Sequence, residues 1–271
     1  YEIQFGDWSS DVCSSDLIDC NWKQFCQILN ELQNKTRYIL NKTIQYQWEY
    51  FNFSLDYKKK YLEYPNPQNI LGFKGSQAVQ NYVYHYIKND IDKLNSANIC
   101  QTLSHATSRW GNDKLDILKG EKTIPCFKKN VPIDIYNKNI QIYKENNDYY
   151  LNLSLISNTY KKELNRKSGQ FTVLIKAKDN TQKTILERLL NSEYKISASQ
   201  LIKHKNKWFI NLSYGFEPEK HKLDENNIMG IDMGIVYPVY IAFNNSLKRY
   251  IIEGGEIESF RKQVEKRKNQ M

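Results

Sequence analysis

Apolar residues from position 21 onward recur at helical spacing: Trp22, Phe25, Ile28, Leu29, Leu32, Ile39, Leu40 and Trp48, with Lys23, Glu31, Lys35, Arg37 and Lys42 between them. That period predicts one long amphipathic helix, continuous or broken, to about residue 53, with Asp19 or Asn21 as its cap. The run Tyr57-Lys58-Lys59-Lys60-Tyr61, followed by Pro65 and Pro67, reads as a basic loop. A second helical stretch is expected over residues 76–94 and a third over 97–118. In the third, Leu103, Ala106, Trp110 and Leu115 share one face while Thr102, His105 and Arg109 project elsewhere.

After Gly120 the period falls to two: Tyr149, Leu151, Leu153 and Leu155 alternate with polar neighbours, as do Phe171, Val173, Ile175 and Ala177, and Trp208, Ile210, Leu212, Tyr214 and Phe216. Alternation of that length predicts half-buried antiparallel strands. Their turns are polar and basic (Lys161-Lys162, Arg166-Lys167, and 203–207), and a helix is expected over about residues 181–191. Residues 217–227 read as a linker. Then Ile228-Met229-Gly230-Ile231-Asp232-Met233-Gly234-Ile235 predicts an apolar strand with one central acid, followed by strands near 239–243 and 249–252, turns at Asn244-Asn245 and Gly254-Gly255, and a helix over 256–271. A helical block followed by a mostly β block is an α+β arrangement, of separate subdomains or of one inserted into the other.

The opening segment is unlike the rest. Tyr1-Glu2-Ile3-Gln4-Phe5 alternates like a strand, but residues 6–17 (GDWSSDVCSSDL) have no amphipathic period. They read as a flexible acidic loop or, preferably, as a stretch foreign to the gene and to be set aside from the fold.

Composition narrows the partners. The chain has 271 residues, a hydrophobic fraction of 40% and a formal charge of +9. The hydrophobic content excludes wholesale disorder. The basic surplus favours a polyanion, because each neutralised phosphate releases condensed counterions. Cys13, Cys20, Cys26, Cys100 and Cys126 form no CxxC pair and no zinc-spaced cluster, so reduced thiols and a cytoplasmic location are expected. No apolar run approaches a membrane span and no leader pattern opens the chain, so no membrane partner is expected.

Asp232 is the candidate for chemistry. An acid within an apolar strand is costly to bury unless it meets a cation or a hydrogen-bonding partner, and Gly230 and Gly234 permit close approach by backbone, metal or phosphate. The plain alternative is an Asp capping a strand end. A ribonuclease-H-like fold carries such an Asp on its first strand, and the strands that follow Asp232 suit it. An actin-like sugar kinase also has an Asp-x-Gly strand, but Val236, Tyr237 and Pro238 stand where that fold has small hydroxyl residues.

Ordered along the chain, these features resemble the compact type V-F CRISPR effectors and, more distantly, the transposon-encoded TnpB nucleases. NWKQFCQILNELQNKTRYILNKTIQYQWEY (21–50) is similar to their first recognition-lobe helices, and TIPCFKKNVPIDI (123–135) to the lead-in of their wedge domain. SEYKISASQLIKHKNKWFINLSYGFEP (192–218) resembles the last wedge strands. IMGIDMGIVYPVYIAFNN (228–245) through EGGEIESFRKQVEKRK (253–268) resembles the first RuvC segment with its basic helix. Residues 6–17 lie outside the resemblance.

The resemblance implies a helical recognition lobe (21–120) inserted in an antiparallel β-barrel-like wedge (first strand in 1–20, remainder 121–218), a linker (219–227) and the start of a RuvC domain (228–271). It implies a guide RNA and target DNA as partners, a homodimer on one guide RNA, reading of a short motif beside the target, and cleavage with two Mg2+ ions of which Asp232 is the first ligand. Lys35, Arg37, Lys42, Arg109, Lys128, Lys129, Arg166 and Lys167 are the expected phosphate contacts. The plain alternative for each of them is a solvated surface charge, and for most aromatics it is core packing. The chain ends at Met271, before the family's later Glu, its Cys-rich zinc element and its final Asp, so a fragment is expected that binds RNA without cutting DNA. Glu253, Glu256 and Glu258 match none of the missing ligands and read as a strand-end acid and first-turn helix acids. The alternatives are a TnpB nuclease and a non-catalytic RNA-binding or target-repressing protein.

Overall fold

A computed structural model of the chain describes residues 2–8, 22–177, 179–205, 207–217, 224, 226–234 and 237–270. It divides into two compact units, Tyr1–Glu217 and Pro218–Met271.

The first unit opens with β1 (Glu2–Trp8), so the strand expected to end at Phe5 continues through Gly6-Asp7-Trp8. A register shift between Phe5 and Trp8 accommodates the extra residues, and Trp8 pairs with Trp208. The expected loop is therefore corrected for residues 6–8; residues 9–17 lie outside the described ones.

α1 (Trp22–Tyr61) is one unbroken 40-residue helix. Phe25, Ile28, Leu29, Leu32, Ile39, Leu40 and Ile44 are buried along it. Its buried hydroxyls return to the preceding turn: Thr36 Oγ1 donates to the Leu32 carbonyl at 2.9 Å and Thr43 Oγ1 to that of Ile39 at 2.7 Å. The expected basic loop is thus the end of this helix. Lys58, Lys59 and Lys60 sit in its last turn, where cations offset the carbonyl end of the dipole. The stop comes at Leu62, whose φ of 62° is left-handed and whose N–H bonds the Lys58 carbonyl at 2.8 Å. Helices usually stop on Gly or Asn, which is why the sequence pattern misses this one.

Beyond it, α2 (Pro67–Leu71) is a single turn capped by Asn66 and closed by Gly72 at φ 79°. α3 (Ala78–Ile87) is shorter than the expected 76–94. Ile91 and Leu94 keep the apolar spacing and are buried, but Ile91 lies in a turn and Leu94 in an isolated antiparallel bridge to Ile156. Side chains hold that turn: Lys35 Nζ donates to the Asp90 carbonyl, Tyr38 Oη donates to Asp90 Oδ2 at 3.0 Å, and Lys93 pairs with Glu31 at 2.7 Å. α4 (Ser96–Leu118) is capped by Asn95, whose Oδ1 accepts from the Ala97 N–H. Its core face is Ile99, Thr102, Leu103, Ala106 and Trp110; Leu115, expected there, is 67% exposed, and Thr102 is buried with its hydroxyl on the Asn98 carbonyl.

The β part comprises β2 (Ile133–Ile135), β3 (Ile140–Glu145), β4 (Asp148–Ser154), α5 (Asn158–Glu163), β5 (Gln170–Ile175), α6 (Asn180–Leu190), β6 (Lys195–Ile196), β7 (Ser199–His204) and β8 (Lys207–Gly215). One sheet has the order β1-β8-β7-β2, with β6 also on β8; the other is β3-β4-β5, and all pairs are antiparallel. β1 precedes the helices yet pairs with β8, so the chain inserts its helical block between strands of one sheet. The two parts share a single core: Phe25, Leu29 and Leu32 of α1, Val83 and Ile87 of α3 and Leu103 of α4 pack in one cluster with Ile133, Leu151, Phe171, Leu201 and Trp208. The Phe25 and Phe171 rings are 5.0 Å apart. Helical and strand residues thus share one interior.

The second unit contains β9 (Met229–Asp232), β10 (Val239–Phe243) and β11 (Ser246–Ile252), in the order β11-β10-β9, and α7 (Gly255–Asn269). Among its described residues no hydrophobic side chain is buried.

Candidate nucleic-acid groove and the Asp232 strand

One face of α1 presents Arg37, Asn41 and Gln45 at i, i+4, i+8, with Tyr38 and Lys42 alongside; these residues and Phe127 line a shallow groove of about 430 Å³. Asn41 builds it. Its Nδ2 donates to the Phe127 carbonyl at 2.9 Å and its Oδ1 accepts from the Phe127 N–H at 2.8 Å, so one carboxamide satisfies both backbone groups of that residue. Two turns back, Gln33 Nε2 donates to the Val131 carbonyl at 2.8 Å, and buried Val131 packs with Leu40 and Ala106. Two amides therefore hold the segment 127–131 against α1. Lys128 and Lys129, both exposed, follow Phe127 directly. Arg37 and Lys42 thus line one groove with a tyrosine and a phenylalanine, and Lys128 and Lys129 follow its Phe127 in sequence. Cations beside aromatic rings suit a phosphate backbone and its bases.

The remaining basic candidates sit differently. Lys35 bonds the Asp90 carbonyl. Arg109 pairs with buried Asp113 at 2.5 Å, where Lys122 also binds at 3.0 Å; Lys122 is the leading reason the Asp113 carboxyl lies below the ordinary carboxylate range. Arg166 donates to the Ser168 and Gln170 carbonyls at 3.3 and 3.2 Å and lies 4.3 Å over the Phe171 ring, so it closes its own turn. Lys167 beside it is exposed.

A second polar site escaped the sequence pattern. His105 Nδ1 donates to Asp134 Oδ2 at 3.2 Å, and Gln200 Nε2 donates to Asp134 Oδ1 at 2.8 Å. The buried carboxylate thereby joins α4, β2 and β7 beside a cavity of about 240 Å³ that Ser104 and Ser108 also line. Its hydrogen bond raises the His105 pKa, against burial and the nearby Arg109 charge, which lower it. His105 was placed on a face away from the core, and nothing in its spacing announced Asp134, which lies 29 residues on.

Asp232 is the last residue of β9, paired with Tyr240, and β9 is exposed throughout. The cost of burying an acid amid apolar neighbours does not arise among the described residues, since every residue of β9 is exposed. Gly234 is needed for the turn itself: its N–H bonds the Tyr237 carbonyl at 3.2 Å, and a Cβ there would stand 3.0 Å from that oxygen. Glu256 and Glu258 lie in the first turn of α7, and Glu258 pairs with Lys262 at 2.8 Å. Among the described residues no three His, Cys, Asp or Glu side chains gather as a metal site. Two Mg2+ ions need several carboxylates, so the described residues do not fit that centre by themselves. Among the described residues Cys100 and Cys126 are free thiols, and no helix is long and apolar enough to cross a membrane.

No family model matches the chain. Its fold, mixed helix and antiparallel sheet, is that of solved CRISPR effector chains. A chain from a cryo-EM structure of a Cas12f1–sgRNA–target DNA complex superposes with a TM-score of 0.64 at 17% identity, covering 92% of this chain and 54% of that one. A second, from a CRISPR-Cas12f ternary complex, gives 0.54 at 18% identity, covering 92% and 52%. Among curated proteins, the CRISPR-associated endodeoxyribonuclease Cas12f1 of Sulfoacidibacillus thermotolerans is 45% identical over 257 residues, 94% of this chain and 60% of the relative. Cas12f1 of Syntrophomonas palmitatica is 28% identical over 202 residues, 71% of this chain and 40% of the relative. The chain is thus similar along 94% of its length to a type V-F CRISPR-associated nuclease, and spans about three fifths of that relative's length.

Proposed function

We propose that the chain is the nucleic-acid-gripping portion, together with the first nuclease strand, of an RNA-guided DNA endonuclease. The observation that carries the proposal is the 45% identity, across 94% of the chain, to a protein named as a CRISPR-associated endodeoxyribonuclease. In this reading the helices α1 to α4 are the recognition lobe, the two sheets of the first unit are its barrel-like wedge, and β9 to β11 with α7 begin the RuvC domain. Guide RNA and target DNA are the partners, and a homodimer assembles on one guide RNA.

The groove around Asn41 supports the nucleic-acid part of the reading. Arg37 and Lys42 in the groove, and Lys128 and Lys129 next to its Phe127 in sequence, neutralise phosphates, while Tyr38 and Phe127 offer ring faces. Such contacts position a duplex or hairpin without reading its sequence, which in this class is left to base pairing. Asp232 contributes one carboxylate to a Mg2+-dependent site, and bound Mg2+ would supply Lewis-acid stabilisation of the displaced phosphate oxygens. Further carboxylates are required to hold the ions.

The test separates grip from cleavage. The 271-residue chain is titrated with a structured hairpin RNA in a gel-shift assay, and incubated with RNA, DNA duplex and Mg2+. Binding without cleavage is expected. Guide-dependent cleavage by this chain, abolished in Asp232→Ala, would overturn the incomplete-site reading; absence of RNA binding would overturn the grip.

A further inference from the structure

At the far end of the first sheet, away in sequence from the groove, three aromatic rings stack. Tyr194 lies just before β6, while Tyr214 and Phe216 lie at the end of β8. Tyr194 and Tyr214 have centroids 5.2 Å apart and planes within 6°; Tyr194 and Phe216 are 5.0 Å apart and within 24°. The pairing of Ile196 with Tyr214 and of Lys195 with Gly215 sets this register. Arg188 of α6 caps the group, its guanidinium 5.3 Å from the Tyr194 ring centre and bonded to the Tyr194 hydroxyl. Phe216 remains 37% exposed.

Near-parallel rings on a sheet surface are the geometry that receives flat heterocycles, because each base has a π-face and stacks without regard to sequence. Beside Phe216 is a cavity of about 560 Å³, lined also by Ser192, Glu193, Lys195, Ser197 and Glu217. That volume lies in the range of small-ligand pockets, roughly 300–1,000 Å³. Its lining discriminates. Lys195 suits one phosphate, whereas Glu193 and Glu217 repel a phosphate run but accept a hydrogen bond from a ribose 2′-hydroxyl. DNA lacks that hydroxyl, and in a duplex the base faces are closed.

We propose that Phe216, backed by the stacked rings of Tyr194 and Tyr214, and the adjoining cavity form a subsite for a single unpaired RNA nucleotide, its base stacked on the Phe216 ring and its ribose facing the carboxylates. The subsite rests on the reading of the chain as an RNA-binding protein and shares no lining residue with the phosphate groove.

The full chain is titrated by fluorescence anisotropy with a single-stranded RNA of about 12 nucleotides, within the span such sites cover, with DNA of the same sequence and with the RNA duplex. Phe216→Leu removes the ring from an exposed position; Phe216→Trp keeps one. Loss of one stacked base predicts that Phe216→Leu weakens single-stranded RNA binding about fivefold to 150-fold. The salt dependence is unchanged, duplex binding is unchanged, and Phe216→Trp binds as the wild type does. Unchanged RNA binding by Phe216→Leu, while Lys128→Ala weakens it, overturns the subsite and leaves the RNA-binding reading standing. An equal loss on single-stranded DNA overturns the assignment to RNA. Failure of the wild-type chain to bind any RNA overturns the subsite and that reading together.

Discussion

Removing the two cations of the groove and the two that follow its Phe127 at once, in an Arg37→Ala, Lys42→Ala, Lys128→Ala, Lys129→Ala variant, tests whether the groove tracks phosphates. Each cation that neutralises a phosphate contributes about 0.7 to the slope of log affinity against log salt on single strands, and about 0.9 on duplexes. Four contacts therefore predict a slope shallower by about 3 on single strands and about 3.6 on duplexes. Between roughly 50 and 200 mM salt, wild-type affinity should fall about fiftyfold further than that of the variant on single strands, and about 150-fold further on duplexes. Anisotropy titrations in KCl measure this directly. None of the four side chains is in the core, so circular dichroism should show an unchanged fold. Arg109→Ala and Arg166→Ala are the controls, since their guanidinium groups bind Asp113 and the Ser168 and Gln170 carbonyls. An unchanged slope in the quadruple variant, with a reduced slope in Arg109→Ala, would refute the assignment of the groove.

Phe25 is fully buried between helix and sheet, and Phe25→Ala should cost about 3–5 kcal/mol. Because the core is shared, amide exchange should quicken together in α1, α4, β4 and β8; faster exchange confined to the helices would show two independent cores. The His105–Asp134 contact sets a pH dependence. The folded imidazole pKa is raised, so the contact stabilises fully below the unfolded value of about 6.5 and is lost as pH rises through the folded value. The melting temperature should fall through that window, and His105→Gln should flatten the fall; an identical profile in the variant counts against the contact.

Much of the fold was legible because it follows local periods. The 3.6-residue repeat of Phe25, Leu29, Leu32 and Ile39 and the two-residue repeats of Leu151, Leu153 and of Trp208, Ile210, Leu212 all face the core as expected. The errors fall where a distant partner overrides local chemistry. Ile91 and Leu94 look helical, but side chains from α1 capture the turn that carries Ile91 and leads into Leu94. Thr102 is polar by type yet buried, because it can bond its own helix. The groove was half legible: Arg37 and Lys42, which line it, were candidates by charge, but so were Arg109 and Arg166, whose guanidinium groups bind Asp113 and nearby carbonyls. Asn41 carried no signal, since its partner Phe127 lies 86 residues away.

Asp232 marks the opposite limit. The motif around it was conspicuous in the sequence, whereas its physical state depends on what surrounds it. In β9 to β11, Ile231 is 55% exposed, Leu247 94%, Tyr250 53% and Ile252 55%. Three strands and one helix with no buried apolar side chain among the described residues lack, in those residues, the covered hydrophobic face that independent stability requires. Apolar area on this scale marks a surface that is normally covered. Whatever covers it also removes water from Asp232, and an isolated carboxylate is not desolvated without a cation or donor to offset the cost. If Asp232 is the metal ligand proposed above, covering this sheet and binding a cation at Asp232 are therefore coupled, because the covered carboxylate needs a cation, a donor or a proton.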